Sequence, residues 1–325
     1  MAEWNEETAE NFLRPVEDLA AVQACFDRFG VVGVTGVLSR EECAQLISEG
    51  IEPCLPGGCS ITDPTTYDLA DQALNRYGVL GKRTLFNSSI LSARLHPNVV
   101  AAYKAVYGRE DVYACHDRAA WMRPALCSAR WDTPFSWPGL HFDVNLRSYF
   151  HGRREDVDAF LCGLNYDDGG FTAENNAKHV SMGRTVQGVL NLLDNEEEDG
   201  GFHCTPGFFG PALEPWADAH PGLPDAEPNG RYELKAFGPD AELGSASVRV
   251  PCEAGTLLLF DATLPHGTRP NVSHSSRLIL FMRYATGDTL PTAAWRSRNA
   301  SLHRVAQSVG FYPDDRQKMH MYGPE

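Results

Sequence analysis

The chain has 325 residues, 43% of them hydrophobic, with 28 basic against 43 acidic side chains and a net charge of −15. That apolar fraction supplies a large core, while the acidity counts against nucleic acid or an anionic membrane as partner, since both demand a positive surface. No apolar run reaches transmembrane length, so no membrane partner is expected.

The opening MAEWNEETAEN is acidic where a secretory signal needs a positive segment followed by an apolar one. The closing MYGPE carries no address of the Ser-Lys-Leu kind. A soluble cytoplasmic protein is therefore the expectation.

Val16, Leu19, Val22, Phe26 and Phe29 recur at helical spacing, which predicts a helix over 16–29 ended by Gly30. VVGVTGV follows as a short strand. Ser39 with Glu42 three residues on forms a capping box that opens a second helix. Residues 50–93, rich in Pro, Gly and small polar side chains, read as loops over one end of the fold. Pro97 starts a helix that Gly108 follows. Strands dominate from 111 onward: 112–116, 119–123, 139–146, 186–193, 201–204, 246–251, 256–261, 264–268 and 276–284. A last helix spans 292–308. The pattern is mainly β with flanking helices, a double-sheet jelly roll. No internal repeat or linker interrupts it, so 1–325 reads as one domain. Its helical N-terminal region covers 1–110, its β core 111–290, and a C-terminal helix and tail 291–325.

Within that core, His141-Phe142-Asp143 carries the chemistry. In an extended strand, residues two apart share a face, so His141 and Asp143 can grip one ion together. His266, in LPHGTRPN, would complete two histidines and one carboxylate, the facial triad of non-haem Fe(II) oxygenases. Arg277, in SSRLILFMRY, would then pair with the far carboxylate of 2-oxoglutarate. A His-x-acid triplet is weak alone, since roughly one arises by accident in a chain of this composition. The competing reading makes His141 and His266 unrelated core or surface histidines and Asp143 a turn residue. Spacing alone leaves both open.

The ordered motifs resemble the phytanoyl-CoA dioxygenase-like family of Fe(II)/2-oxoglutarate-dependent oxygenases. FDRFGVVGVTGVLSREECAQLI is similar to that family's opening helix, strand and second helix. HFD at 141–143, VQGVLNLLDNEEEDGGFHCTPGF at 186–208 and GTLLLFDATLPHGTRPN continue the likeness. It implies a double-stranded β-helix (jelly-roll, cupin-like) core, with His141, Asp143 and His266 holding Fe(II). It places Arg277 and Thr268 on 2-oxoglutarate, with O2 as second cosubstrate. Gln187 and Asn191, on one strand face, would line the pocket. The implied reaction oxidises a C–H of a small molecule, most simply by hydroxylation, releasing succinate and CO2. Desaturation or oxidative cyclisation starts from the same chemistry. Related halogenases lack the carboxylate, so Asp143 disfavours halogenation. A zinc-dependent hydrolase and a non-catalytic ligand-binding jelly roll are the rivals from other classes.

Two weakly matched segments, 145–185 and 209–247, read as insertions where substrate choice resides. Arg147 and Trp137 are candidate substrate contacts, Arg147 for a carboxylate-bearing ligand, whereas Arg153 and Arg154 read as solvated. The Pro- and Gly-rich stretch 209–247 reads as a long surface loop. Arg269 has the wrong strand parity to face the metal. Arg283 shares Arg277's face but lies three strand rungs farther along. His203 and Cys204 read as packing residues, because a fourth ligand would obstruct the open positions. The nine cysteines are odd in number and scattered, as expected of free thiols.

Overall fold

The computed structural model describes residues 12–75, 77–124, 139–175, 183–220, 222–223 and 232–324. Among these, twelve strands carry the architecture. They are β1 (Leu13–Pro15), β2 (Val31–Thr35), β3 (Val112–Ala114), β4 (Ala119–Met122), β5 (His141–Phe142) and β6 (Val186–Asn191), then β7 (Gly201–Cys204), β8 (Tyr232–Glu233), β9 (Val248–Arg249), β10 (Leu257–Asp261), β11 (His266–Arg269) and β12 (Arg277–Thr286). A larger sheet runs β1-β2-β10-β6-β12-β3, with β4 also paired to β12. A smaller one runs β8-β5-β11-β7-β9. Only β1 and β2 pair in parallel; the remaining ladders are antiparallel. This is the jelly roll that the turn spacing predicts.

β10 (LLLFD) is buried at every position, because one face points between the sheets and the other lies under helical cover. The helix Pro97–Tyr107 supplies some of that cover: Tyr103 stacks on Tyr284 at 4.3 Å. A side chain at Gly188 would begin 2.6 Å from the Tyr103 hydroxyl, so glycine sets how closely helix and β6 approach.

The first helix is Leu19–Phe29, shorter than the predicted 16–29. Leu13–Pro15 pairs with β2 instead, and the Asp18 carboxylate accepts from the Ala21 amide to start the helix there. The Ser39–Glu42 capping box forms as expected. Residues 50–93 are not loop throughout. Stretches of 3-10 helix occupy Glu52–Cys54 and Pro64–Gln72, and Asn87 caps a short helix, Ser88–Arg94.

The two insertions are more ordered than their composition suggests. Leu146–His151, Arg154–Cys162 and Gly170–Glu174 are helices, and Arg153 and Arg154 pair with Asp156 and Asp158 on their own helix surface. The described residues of 209–247 are not a plain surface loop. They bury Leu213, Ala217, Tyr232, Leu234 and Leu243 with Phe142 in a core of their own. A buried His220–Asp240 contact at 2.6 Å and a Tyr232 hydroxyl donating to Asp240 at 2.8 Å pin it. β8 then pairs with β5, setting Glu233 opposite His141 and Tyr232 opposite Phe142. The insertion thereby fixes the strand that carries His141.

The cysteines among the described residues are free, as expected. No helix among them is long and apolar enough to cross a membrane.

Candidate active site

His141 and His266 are directly opposed across the β5–β11 ladder, with ring centroids 4.5 Å apart. The predicted strand 139–146 is only His141–Phe142 long. Asn145 ends it by capping the helix from Leu146, its side chain accepting from the Ser148 amide. Asp143 therefore reaches the site from a bend rather than a strand rung. Its Oδ1 lies 3.2 Å from His141 Nε2 and its Oδ2 3.6 Å from His266 Nε2. Ligand atoms of the three residues all lie within 4.8 Å of one another.

The outer nitrogens are already committed. His141 Nδ1 lies 2.7 Å from the Gly139 carbonyl and His266 Nδ1 2.9 Å from that of Leu264. Donation there leaves Nε2 of each ring as the lone-pair face toward Asp143, the tautomer a metal requires. Burial, with His141 beside it, lowers the pKa of His266, so the ring stays neutral at ordinary pH despite the opposing pull of Asp143. Phe260 and Phe202 flank His266 with ring centroids at 4.6 and 5.8 Å, fixing its plane. Two imidazoles and one carboxylate suit a borderline divalent ion with exchangeable positions.

These three line a cavity of about 330 Å³ between the sheets, together with Gln187, Thr268 and Arg277. Thr268 sits two residues past His266 on β11. Arg277 begins β12 on the opposite sheet, is 2% exposed, and places Nη1 3.0 Å from the Met122 sulfur. Its Nε has no partner, and burial draws its pKa down to about 10. Among the described residues no carboxylate lies within ion-pair distance of it, so it is a buried cation facing an anion-sized space.

Two other sequence candidates fall elsewhere, and a third is not among the described residues. Asn191 shares the inward face of β6 but turns its Nδ2 to the Thr256 carbonyl at 3.3 Å and is not in the cavity wall. Arg147 extends to the His220 carbonyl at 3.4 Å, toward the 209–247 core, and does not line the cavity either. Trp137 lies outside the described residues. Conversely, Phe202, Phe260 and Arg283 line the cavity, although no sequence motif marks them for it. Strand parity is the available signal for Arg283, because residues 277, 279, 281 and 283 share one face.

Of the buried histidines outside the triad, His116 is the most deeply buried. His116 is fully buried against Phe86 and Phe171, and among the described residues neither ring nitrogen has a hydrogen-bond partner. Burial, helped by the charges of Arg298 and Arg94, holds its pKa well below the ordinary 6.5. The unfolded chain therefore takes up a proton that the fold refuses, and stability drains away as pH falls below 6.5. By pH 5.5 the cost is about 1 kcal/mol. His116→Phe is expected to remove that share of the acid sensitivity, read as the wild type-minus-variant difference in urea unfolding at pH 7.5 and 5.5.

The comparisons with known proteins agree with this site. The family described as Phytanoyl-CoA dioxygenase (PhyH) matches residues 223–279, a stretch that includes His266, Thr268 and Arg277. A protein of Dictyostelium discoideum named "Putative phytanoyl-CoA dioxygenase" is 26% identical over 291 residues, covering 87% of this chain and 80% of its own. Among solved structures, the Candida albicans GlcNAc-inducible protein GIG2 superposes with a TM-score of 0.58 at 16% identity, covering 98% of this chain and 77% of that one. The Escherichia coli hypothetical protein JW0805 gives 0.56 at 15% identity, over 96% and 81%. At such identities the two structures speak for the fold. In motif order, in the stretch 223–279 and along most of the Dictyostelium relative, the chain is similar to the phytanoyl-CoA dioxygenase-like proteins.

Proposed function

We propose that the protein hydroxylates an unactivated C–H of a small-molecule metabolite, with 2-oxoglutarate and O2 consumed and succinate and CO2 released. One observation carries this reading: the convergent Nε2 and carboxylate atoms of His141, Asp143 and His266 share a cavity with a buried, carboxylate-free Arg277. In it, His141, Asp143 and His266 hold the iron. Arg277 takes the remote carboxylate of 2-oxoglutarate by charge-assisted hydrogen bonds, and the Thr268 hydroxyl supplements them. Gln187 stands on the same cavity wall, opposite Arg283. Bound iron supplies the oxidising power. The chain contributes convergent ligands, an oriented cosubstrate and the apolar walls of Phe202, Phe260, Ile279 and Phe281 in a chamber otherwise lined by polar side chains. Desaturation or cyclisation would use the same residues and differ only in how the substrate is held.

An anaerobic titration of metal-free protein with Fe(II) and then 2-oxoglutarate tests this. The expected result is the weak visible charge-transfer band of the chelated cosubstrate, followed on admission of air by succinate formation. Metal binding without that band, together with hydrolytic activity independent of O2, would put zinc hydrolysis in its place.

A further inference from the structure

We propose that Arg283 is the anchor for a carboxylate on the substrate, so that the protein oxidises a small anionic molecule gripped opposite its cosubstrate. The inference rests on the oxygenase reading for what happens at the metal, but the anion site itself is argued from the cavity wall.

Arg277, Ile279, Phe281 and Arg283 alternate onto one face of β12, and all four line the cavity. The same chamber thus holds two buried arginines, six residues apart, about 20 Å along an extended strand. Arg283 is 7% exposed. Its Nη1 donates to the Glu174 carbonyl at 3.0 Å and approaches Asn175 Oδ1 at 3.4 Å, while Nε has no partner. Among the described residues no carboxylate comes within ion-pair distance. The Glu174 carboxylate, though adjacent, meets Arg298 at 3.1 Å and the Tyr166 hydroxyl at 2.9 Å, both through Oε2, and neither of its oxygens comes within ion-pair distance of Arg283. Arg118, also on the wall, is already matched with Asp117 at 3.0 Å. Arg283 is therefore the cation of this end left without an anion, and burying such a charge is costly unless something pairs it.

Register places it within reach of the metal ligands. Phe260, packed on the His266 ring, is opposite Gln187, and Gln187 is opposite Arg283. Two interstrand spacings separate Phe260 from Arg283, about 10 Å. A carboxylate held there keeps the rest of a small ligand over the His141–Asp143–His266 face, while Arg277 lies farther along the strand for the cosubstrate. A purely structural role, tying Glu174 and Asn175 to the barrel through Nη1, would leave the guanidinium charge buried beside the cavity with no anion to match it.

Acetate, the smallest common carboxylate probe, and acetamide as its neutral counterpart test the site at constant ionic strength. The readout is the thermal unfolding midpoint of the full-length, metal-free protein. Arg277→Gln, which removes the competing arginine, is expected to retain a saturable rise with acetate and none with acetamide. Arg277→Gln/Arg283→Gln should need about tenfold more acetate or lose the response, as for a lost charge-assisted contact. Should the double variant fail to fold, Arg277→Gln/Arg283→Lys is read instead, with a weakened response expected and an unchanged one overturning the proposal. Equal acetate responses with and without Arg283, or none in Arg277→Gln, also overturn it. The Fe(II)/2-oxoglutarate band separates the two readings. Arg283→Gln should keep it, and its loss there with retention in Arg277→Gln would exchange the two arginines' roles and sink the proposal. A wild type without the band sinks the oxygenase reading while the acetate result stands on its own.

Discussion

Asp143→Ala is expected to abolish the Fe(II)/2-oxoglutarate band and all succinate formation, the largest functional effect of any single change in this protein. Asp143 supplies the only carboxylate among the three converging side chains, with one oxygen toward each imidazole at 3.2 and 3.6 Å. Without it, two imidazoles remain to hold a divalent cation. Loss of a group that merely orients a ligand costs up to about 100-fold in metal affinity, so removing a charged ligand outright should cost at least that. Equilibrium dialysis with Fe(II) measures the affinity directly. His266→Ala should match it in metal binding but differ in stability, because the ring is also packed between Phe202 and Phe260. An Asp143→Ala protein that binds Fe(II) as tightly as wild type would show that the carboxylate is not a ligand.

The metal triad is legible in the sequence because its residues obey simple rules: a two-residue spacing, a distal histidine in a strand-like run, and an arginine inside a buried one. How Asp143 arrives is not. The local pattern GLHFDVN reads as continuous strand, but Asn145 caps a helix, and that competing signal truncates β5 at Phe142. The 209–247 segment misleads for a related reason. Its many Pro and Gly residues are real turn signals, yet the scattered Leu213, Leu234 and Leu243 meet only in three dimensions, around Phe142 of the metal strand. Asn191 shows the limit of parity: it does share an inward face with Gln187, but the position along the strand sends its amide to Thr256. Arg147 and Arg283 show the converse. A basic residue in a weakly matched segment draws attention, while the arginine on the cavity wall lies inside an apolar strand, where parity is readable but access to the chamber is not. Substrate chemistry is legible only once both sheets are in place.

The largest stability effect should come from Arg298→Ala, expected to destabilise the fold by about 3–5 kcal/mol, the range for removing one partner of a buried ion pair. Arg298 has no solvent exposure and Glu174 almost none. Its Nε donates to Glu174 at 3.1 Å, Nη1 to the Met321 carbonyl at 3.3 Å, and Nη2 to the Ala114 carbonyl. One side chain thus ties the helix Thr292–Ser308 to β3, to the C-terminal segment and to the helix Gly170–Glu174. Truncation leaves the Glu174 carboxylate buried with the Tyr166 hydroxyl as its remaining donor among the described residues, so the penalty is an orphaned charge more than a lost attraction. The double change Arg298→Met with Glu174→Leu removes both charges and should recover most of the loss, which urea unfolding of the three proteins will measure. A loss below about 1 kcal/mol for Arg298→Ala would mean that water reaches the pair. The same measurement bears on the site, because Glu174 also offers its backbone carbonyl to Arg283. With the double variant folded but its helix end less firmly held, weaker acetate binding would show that the ion pair presets the anion-binding wall.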